Sequence, residues 1–131
     1  MLAVIEKRDQ WWRQTFAEEL HKRAGDDPVG QLRSVFDVLH DWFVMQEFKG
    51  CLFINAASEF PAPHDPAHKA AKANVDAIRE KITVLAAQAG IPEPHVFAQQ
   101  LNLVIEGAIV TEVIDRKHDA ADTGAQVANM L

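Results

Sequence analysis

The residues able to do covalent chemistry in this chain are few: one cysteine, Cys51, two serines, Ser34 and Ser58, and six histidines. A nucleophilic thiol needs a base or a positive neighbour, whereas Cys51 stands in the apolar run 51–60, the usual setting of an inert, buried thiol. Neither serine lies in a Gly-x-Ser-x-Gly turn, and no glycine-rich loop is available to hold phosphate. Acid–histidine pairs three residues apart occur as Glu18/His21, Asp37/His40, Asp65/His68 and Asp115/His118, the spacing with which helix bundles hold di-iron centres. Glu18 and His21 flank a charged helix side and Asp65 suits a helix cap, so no four ligands converge. His64 and His68 supply two ligands without a third. The expectation is a protein that is not an enzyme, with no catalytic residue, no metal and no cofactor.

Binding surfaces are the alternative source of function, and they depend on the elements beneath them. The chain has 131 residues, enough for one domain with its own core, and its 48% hydrophobic and 24% charged residues are ordinary for a globular protein. A net charge of −6 is unsuited to gripping DNA through its phosphates. No apolar window is long enough for a membrane span, no secretory signal opens the sequence, and a lone cysteine agrees with a reducing, cytoplasmic setting.

Glycines and prolines fall between segments of helical periodicity, and the spacing predicts an all-α, about six-helix bundle in a single domain over 1–131. Leu2, Ile5, Trp12, Phe16 and Leu20 form the stripe of a first helix, with Gly25 as a left-handed cap. Asp27-Pro28 starts a second helix that stops before Gly50, and Asp65-Pro66 starts a fourth that runs to Gly90. The run from Cys51 to Phe60 has the length of either a strand or a helix, and the lack of a partner strand favours helix. A fifth helix runs from about His95 to Asp115, and Asp119 caps a last one.

The fifth helix is apolar on two sides. Phe97, Leu101, Val104 and Ala108 form one stripe, and Leu103, Gly107, Val110 and Ile114 form another about 120° around it. One stripe can face the core, which leaves the other for a second copy of the chain, although burial of both inside the monomer also accounts for the pattern. Val127, Met130 and Leu131 of the last helix are expected to join that interface. Of the aromatic residues, most belong to packing, but some can line a ligand pocket beside a few polar groups. The expected pocket residues are Trp12, Phe16, Phe36, His40, Phe43, Phe53, Asn55, Glu59 and Glu106.

The string Gly50-Cys51-Leu52-Phe53-Ile54-Asn55-Ala56-Ala57-Ser58-Glu59-Phe60, followed by Pro61 and Asp65-Pro66, resembles a signature of one group of TetR-family (tetracycline-repressor-like) C-terminal domains. Leu2-Ala3-Val4-Ile5 resembles the helix that leaves that family's DNA-binding unit, and Leu103-Val104-Ile105-Glu106-Gly107-Ala108 the start of its dimerisation region. The resemblance implies a sensor domain of a transcriptional repressor that binds a small, mainly apolar effector between helices. It also implies a homodimer in which the last two helices form a four-helix bundle. DNA would be reached only through an N-terminal helix-turn-helix that this chain does not contain. Two other classes fit the residues: a helical protein-interaction module and, more remotely, a small helical metal protein.

Overall fold

The computed structural model describes residues 1–131 as six α-helices and no strand: α1 (Leu2–Ala24), α2 (Pro28–Phe43), α3 (Leu52–Glu59), α4 (Pro66–Gln88), α5 (Pro94–Asp115) and α6 (Ala120–Ala128). The ambiguous run after Gly50 is helical, and it buries Phe53 and Ala56 on one face. No helix is long and apolar enough to cross a membrane.

The helix starts follow the punctuation, whereas α2 ends at Phe43, short of Gly50, and α6 at Ala128, short of Leu131; the caps also differ in chemistry. Asp65 caps α4 as expected, its carboxylate accepting the Ala67 N–H at 2.8 Å. Asp27 and Asp119 open α2 and α6 without any side-chain capping bond. The Asp27 carboxylate instead lies over Gly30, where a Cβ would meet its Oδ2 at 2.8 Å. Gly25 ends α1 with a φ of 60°, but its ψ of −133° is not that of a left-handed helical cap. The Gly25 carbonyl accepts from the Gln31 side-chain amide.

Two cores meet in the molecule. The larger joins α1, α2, α4, α5 and α6 around Leu20, Val35, Phe43, Ile82 and Leu101. The smaller joins the start of α1, α3 and α4 around Ile5, Phe53, Ala56 and Ala71. Trp12 and Cys51 pack against both, so the seam between the cores runs beside them. Between α1 and α4 the seam is tied by Asp9, which accepts from Arg13 at 2.7 Å and from the buried Asn74 amide at 2.8 Å.

The turn between α5 and α6 carries Arg116 and His118 at φ 55° and 63°, a left-handed conformation that costs a non-glycine residue roughly 1–2 kcal/mol. Each has a compensating bond. Arg116 Nη1 donates to the Phe48 carbonyl at 2.8 Å, and the His118 N–H donates to the buried Glu112 carboxylate at 3.3 Å.

Candidate functional site

On the seam between the two cores lies a cleft of about 430 Å³, within the usual range of small-molecule sites. Helix α1 supplies Arg8, Trp11 and Trp12; the end of α2 supplies Trp42; the segment 45–51 and the start of α3 supply the rest, including Phe48, Lys49, Cys51, Phe53 and Asn55. All three tryptophans of the chain line it. Their rings form a continuous wall: Trp11 stacks on Trp12 at 5.7 Å, Trp12 meets Trp42 at 5.4 Å, and Trp42 meets Phe48 edge-on at 4.8 Å.

The wall is held from behind. Phe43, only 1% exposed, touches Trp42 at 5.8 Å and Phe48 at 5.0 Å between centroids. Arg116 grips the Phe48 carbonyl from the end of α5, with its guanidinium carbon 5.9 Å from the Phe48 ring centre. Gly50, at φ 95°, adopts a backbone conformation that favours glycine, and a Cβ there would meet the Val113 methyl at 3.1 Å. The segment that walls the cleft is therefore also in contact with the last turns of α5.

Of the expected pocket residues, the structure brings Trp12, Phe53 and Asn55 to this cleft. Phe16, Phe36 and Phe43 are core residues, each 5% exposed or less, and do not line it. Phe36 lies against α6, where a Cβ on Gly124 would come within 2.7 Å of the ring, and it borders a more open apolar groove of about 640 Å³. His40 is half-buried on α2 with its Nδ1 unpartnered, and Glu59 is exposed on α3. Glu106 faces a smaller groove between α3, α4 and α5 and accepts from Asn102 at 2.9 Å. Trp11, Trp42, Phe48, Arg8 and Lys49 are lining residues that sequence reasoning did not select. A signal for Trp11 existed: it is a tryptophan off the α1 stripe, and it remains 55% exposed.

The largest depression, about 880 Å³ along α1, α2 and α4, has seven polar or charged residues among the ten that line it and is widely open. It lacks the apolar walls of a ligand site, and the aromatic seam is the stronger candidate.

Burial pushes the Cys51 thiol above its ordinary value of 9.0; nearby backbone N–H groups oppose the shift, and the Glu106 carboxylate reinforces it. The raised value favours the neutral thiol, the opposite of nucleophile activation. Burial of the thiol thus contributes stability that is present below pH 9.0 and is lost as pH rises through the higher folded value. Iodoacetamide at pH 8 is expected to alkylate Cys51 in the folded protein at least ~10-fold more slowly than in urea, a rate expectation drawn from thiolate control of reactivity. Equal rates in the two states would show an exposed, ordinary thiol.

His68 does not share a metal set with His64. Its Nδ1 lies 2.8 Å from the Phe60 carbonyl and 3.3 Å from that of Ala57, at the end of α3. No group of three or more histidine, cysteine, aspartate or glutamate side chains is placed to hold a metal ion.

A second surface lies on α5 and α6. The stripe Phe97, Leu101, Val104 and Ala108 is buried or half-buried, while Leu103 is 70%, Val110 44% and Ile114 73% exposed. Val127 on α6 also faces solvent, while Met130, 81% exposed, and Leu131 lie beyond the end of α6 rather than on the last helix as expected. A Cβ on Gly107 would meet nothing within 4 Å, and Gly107 and Val127 together border a shallow groove between the two helices.

The chain is thus all-helical, with an aromatic cleft beside its first helix and an uncovered apolar face on its last two. Residues 28–128 match the family "Tetracyclin repressor-like, C-terminal domain", and the chain belongs to that family. Two relatives are the HTH-type transcriptional regulators YjdC of Escherichia coli (strain K12) and of Shigella flexneri, each 26% identical over 120 residues. The alignment covers 92% of this chain and 60% of each relative, so the chain spans less than two thirds of their length. No solved structure gives a significant match to the chain.

Proposed function

We propose that this chain is the effector-sensing and dimerisation domain of a cytoplasmic TetR-like transcriptional repressor. A small, mainly apolar ligand enters the tryptophan-lined cleft and controls DNA binding by an N-terminal helix-turn-helix joined to α1. The observation that carries the reading is the position of the cleft: three of its lining residues, Arg8, Trp11 and Trp12, are in the first half of α1. Any molecule seated against them contacts the helix that would bear the DNA reader. Coupling requires that the ligand bind one setting of α1 better than another, and a cleft between two separately packed cores permits such settings. The homodimer forms through α5 and α6, whose exposed stripe a partner copy covers. Contacts of Arg116 with Phe48 and of Gly50 with Val113 run from the cleft wall to the end of α5, which supports a link between the cleft and the proposed interface.

The test is direct because every tryptophan lines the cleft. Titration of the intact protein with a library of apolar ring compounds should give ligands that alter tryptophan emission and raise the unfolding midpoint. At 100 times its dissociation constant a ligand stabilises by about 2.7 kcal/mol. A library without effect on emission up to millimolar concentration would refute the cleft as a sensor site.

A further inference from the structure

Resting on the sensor reading, we infer that the effector carries an anionic group, a carboxylate on a planar aromatic body, held at the mouth of the cleft by Arg8 and Lys49. The chain as a whole is acidic, at −6, yet the charged side chains lining this cleft are Arg8, Lys49 and Glu47, a local excess of positive charge. Neither cation takes part in an ion pair, so both are free to meet a ligand anion. The Arg8 guanidinium is instead held 5.9 Å over the Trp11 ring, which keeps its planar donor fork beside the aromatic wall. That geometry suits two-point recognition of a carboxylate whose ring system continues down the wall of tryptophans.

A cationic ligand is the natural competitor, since aromatic walls also attract ammonium groups. Here Arg8 already occupies one ring face, and Arg8 and Lys49 would repel a second positive charge. Arg116, the third cation in the region, is committed to the Phe48 carbonyl on the far side of the wall. Glu106 sits beyond Cys51, outside the lining, and is bonded to Asn102. A flat two-ring acid fits easily within about 430 Å³.

The experiment compares 2-naphthoate, 2-naphthylmethanol and 2-naphthylmethylammonium by calorimetry and tryptophan emission on the full chain. Naphthoate should bind at least ~10-fold more tightly than the alcohol, and the ammonium least well, with a preference that shrinks as salt screens the charges. In the Arg8→Gln/Lys49→Gln double variant, whose altered side chains are both exposed, the ratio of naphthoate to alcohol affinity should fall to near one. Equal binding of acid and alcohol, or tightest binding of the ammonium, overturns the anion assignment and leaves the sensor cleft standing. Failure of all three to alter tryptophan emission overturns the cleft and the assignment together.

Discussion

Val110→Arg should convert a dimer into a folded monomer. Val110 lies at the middle of the exposed α5 stripe and is 44% exposed in the single chain, so arginine there is accommodated by the protomer. Across the proposed two-fold interface the same substitution would occur twice, and each guanidinium would be buried in the apolar face that Leu103, Ile114 and Val127 share with Val110. Burying an unpaired charge costs about 3–5 kcal/mol, so the dissociation constant should rise by at least roughly 1,000-fold. Light scattering at micromolar concentration reads the mass, and circular dichroism checks that the helices persist. A wild-type monomer, or a variant dimer of undiminished stability, would place the interface elsewhere.

Phe43→Ala should cost the most stability of any single truncation near the site. Phe43 is 1% exposed and supports both Trp42 and Phe48. Removing a buried phenylalanine costs about 3–5 kcal/mol, because the lost burial is joined by an incompletely collapsed cavity. In a chain of this size that lowers the unfolding midpoint by roughly 10–20 °C. The cleft should suffer with it: tryptophan emission should shift to the red as Trp42 loses its backing, even below the midpoint. A loss under about 1 kcal/mol in urea unfolding, with unchanged emission, would show that Phe43 does not support the wall.

Helix number, order and starts were legible because periodicity and Gly/Pro punctuation are local properties; two ends were not, since α2 stops at Phe43, well before Gly50, and α6 at Ala128, short of Leu131. The two-sided α5 was legible for the same reason: a stripe at 103, 107, 110 and 114 is a property of one helix. The cap chemistry was less so. Asp27-Pro28 and Asp65-Pro66 read alike, yet only Asp65 bonds a backbone N–H, because Asp27 is turned over Gly30.

The cleft was the least legible part, since it is made by four segments whose meeting depends on how two cores pack. Phe16, Phe36 and Phe53 all look like apolar residues on stripes, and nothing local separates the two that are sealed in the main core from the one that reaches the seam. Of the residues missed, Trp11, Phe48 and Lys49 lie off the stripes or in the turn after α2, where periodicity carries no information. His40 and Glu106 sit beside apolar residues in sequence, as pocket groups would, but their helices turn them to other parts of the molecule.

The central claim is that a ligand in the cleft moves α1 within a symmetric dimer. It is tested most directly by the distance between two spin labels, one on each protomer. Glu6→Cys in a Cys51→Ala background places a single label on the exposed side of α1. Pulsed electron paramagnetic resonance should give one inter-label distance without ligand and a distance changed by at least ~2 Å with saturating 2-naphthoate, the scale of helix shifts in switching proteins. Absence of dipolar coupling, or an unchanged distance when tryptophan emission shows the ligand bound, would contradict the account.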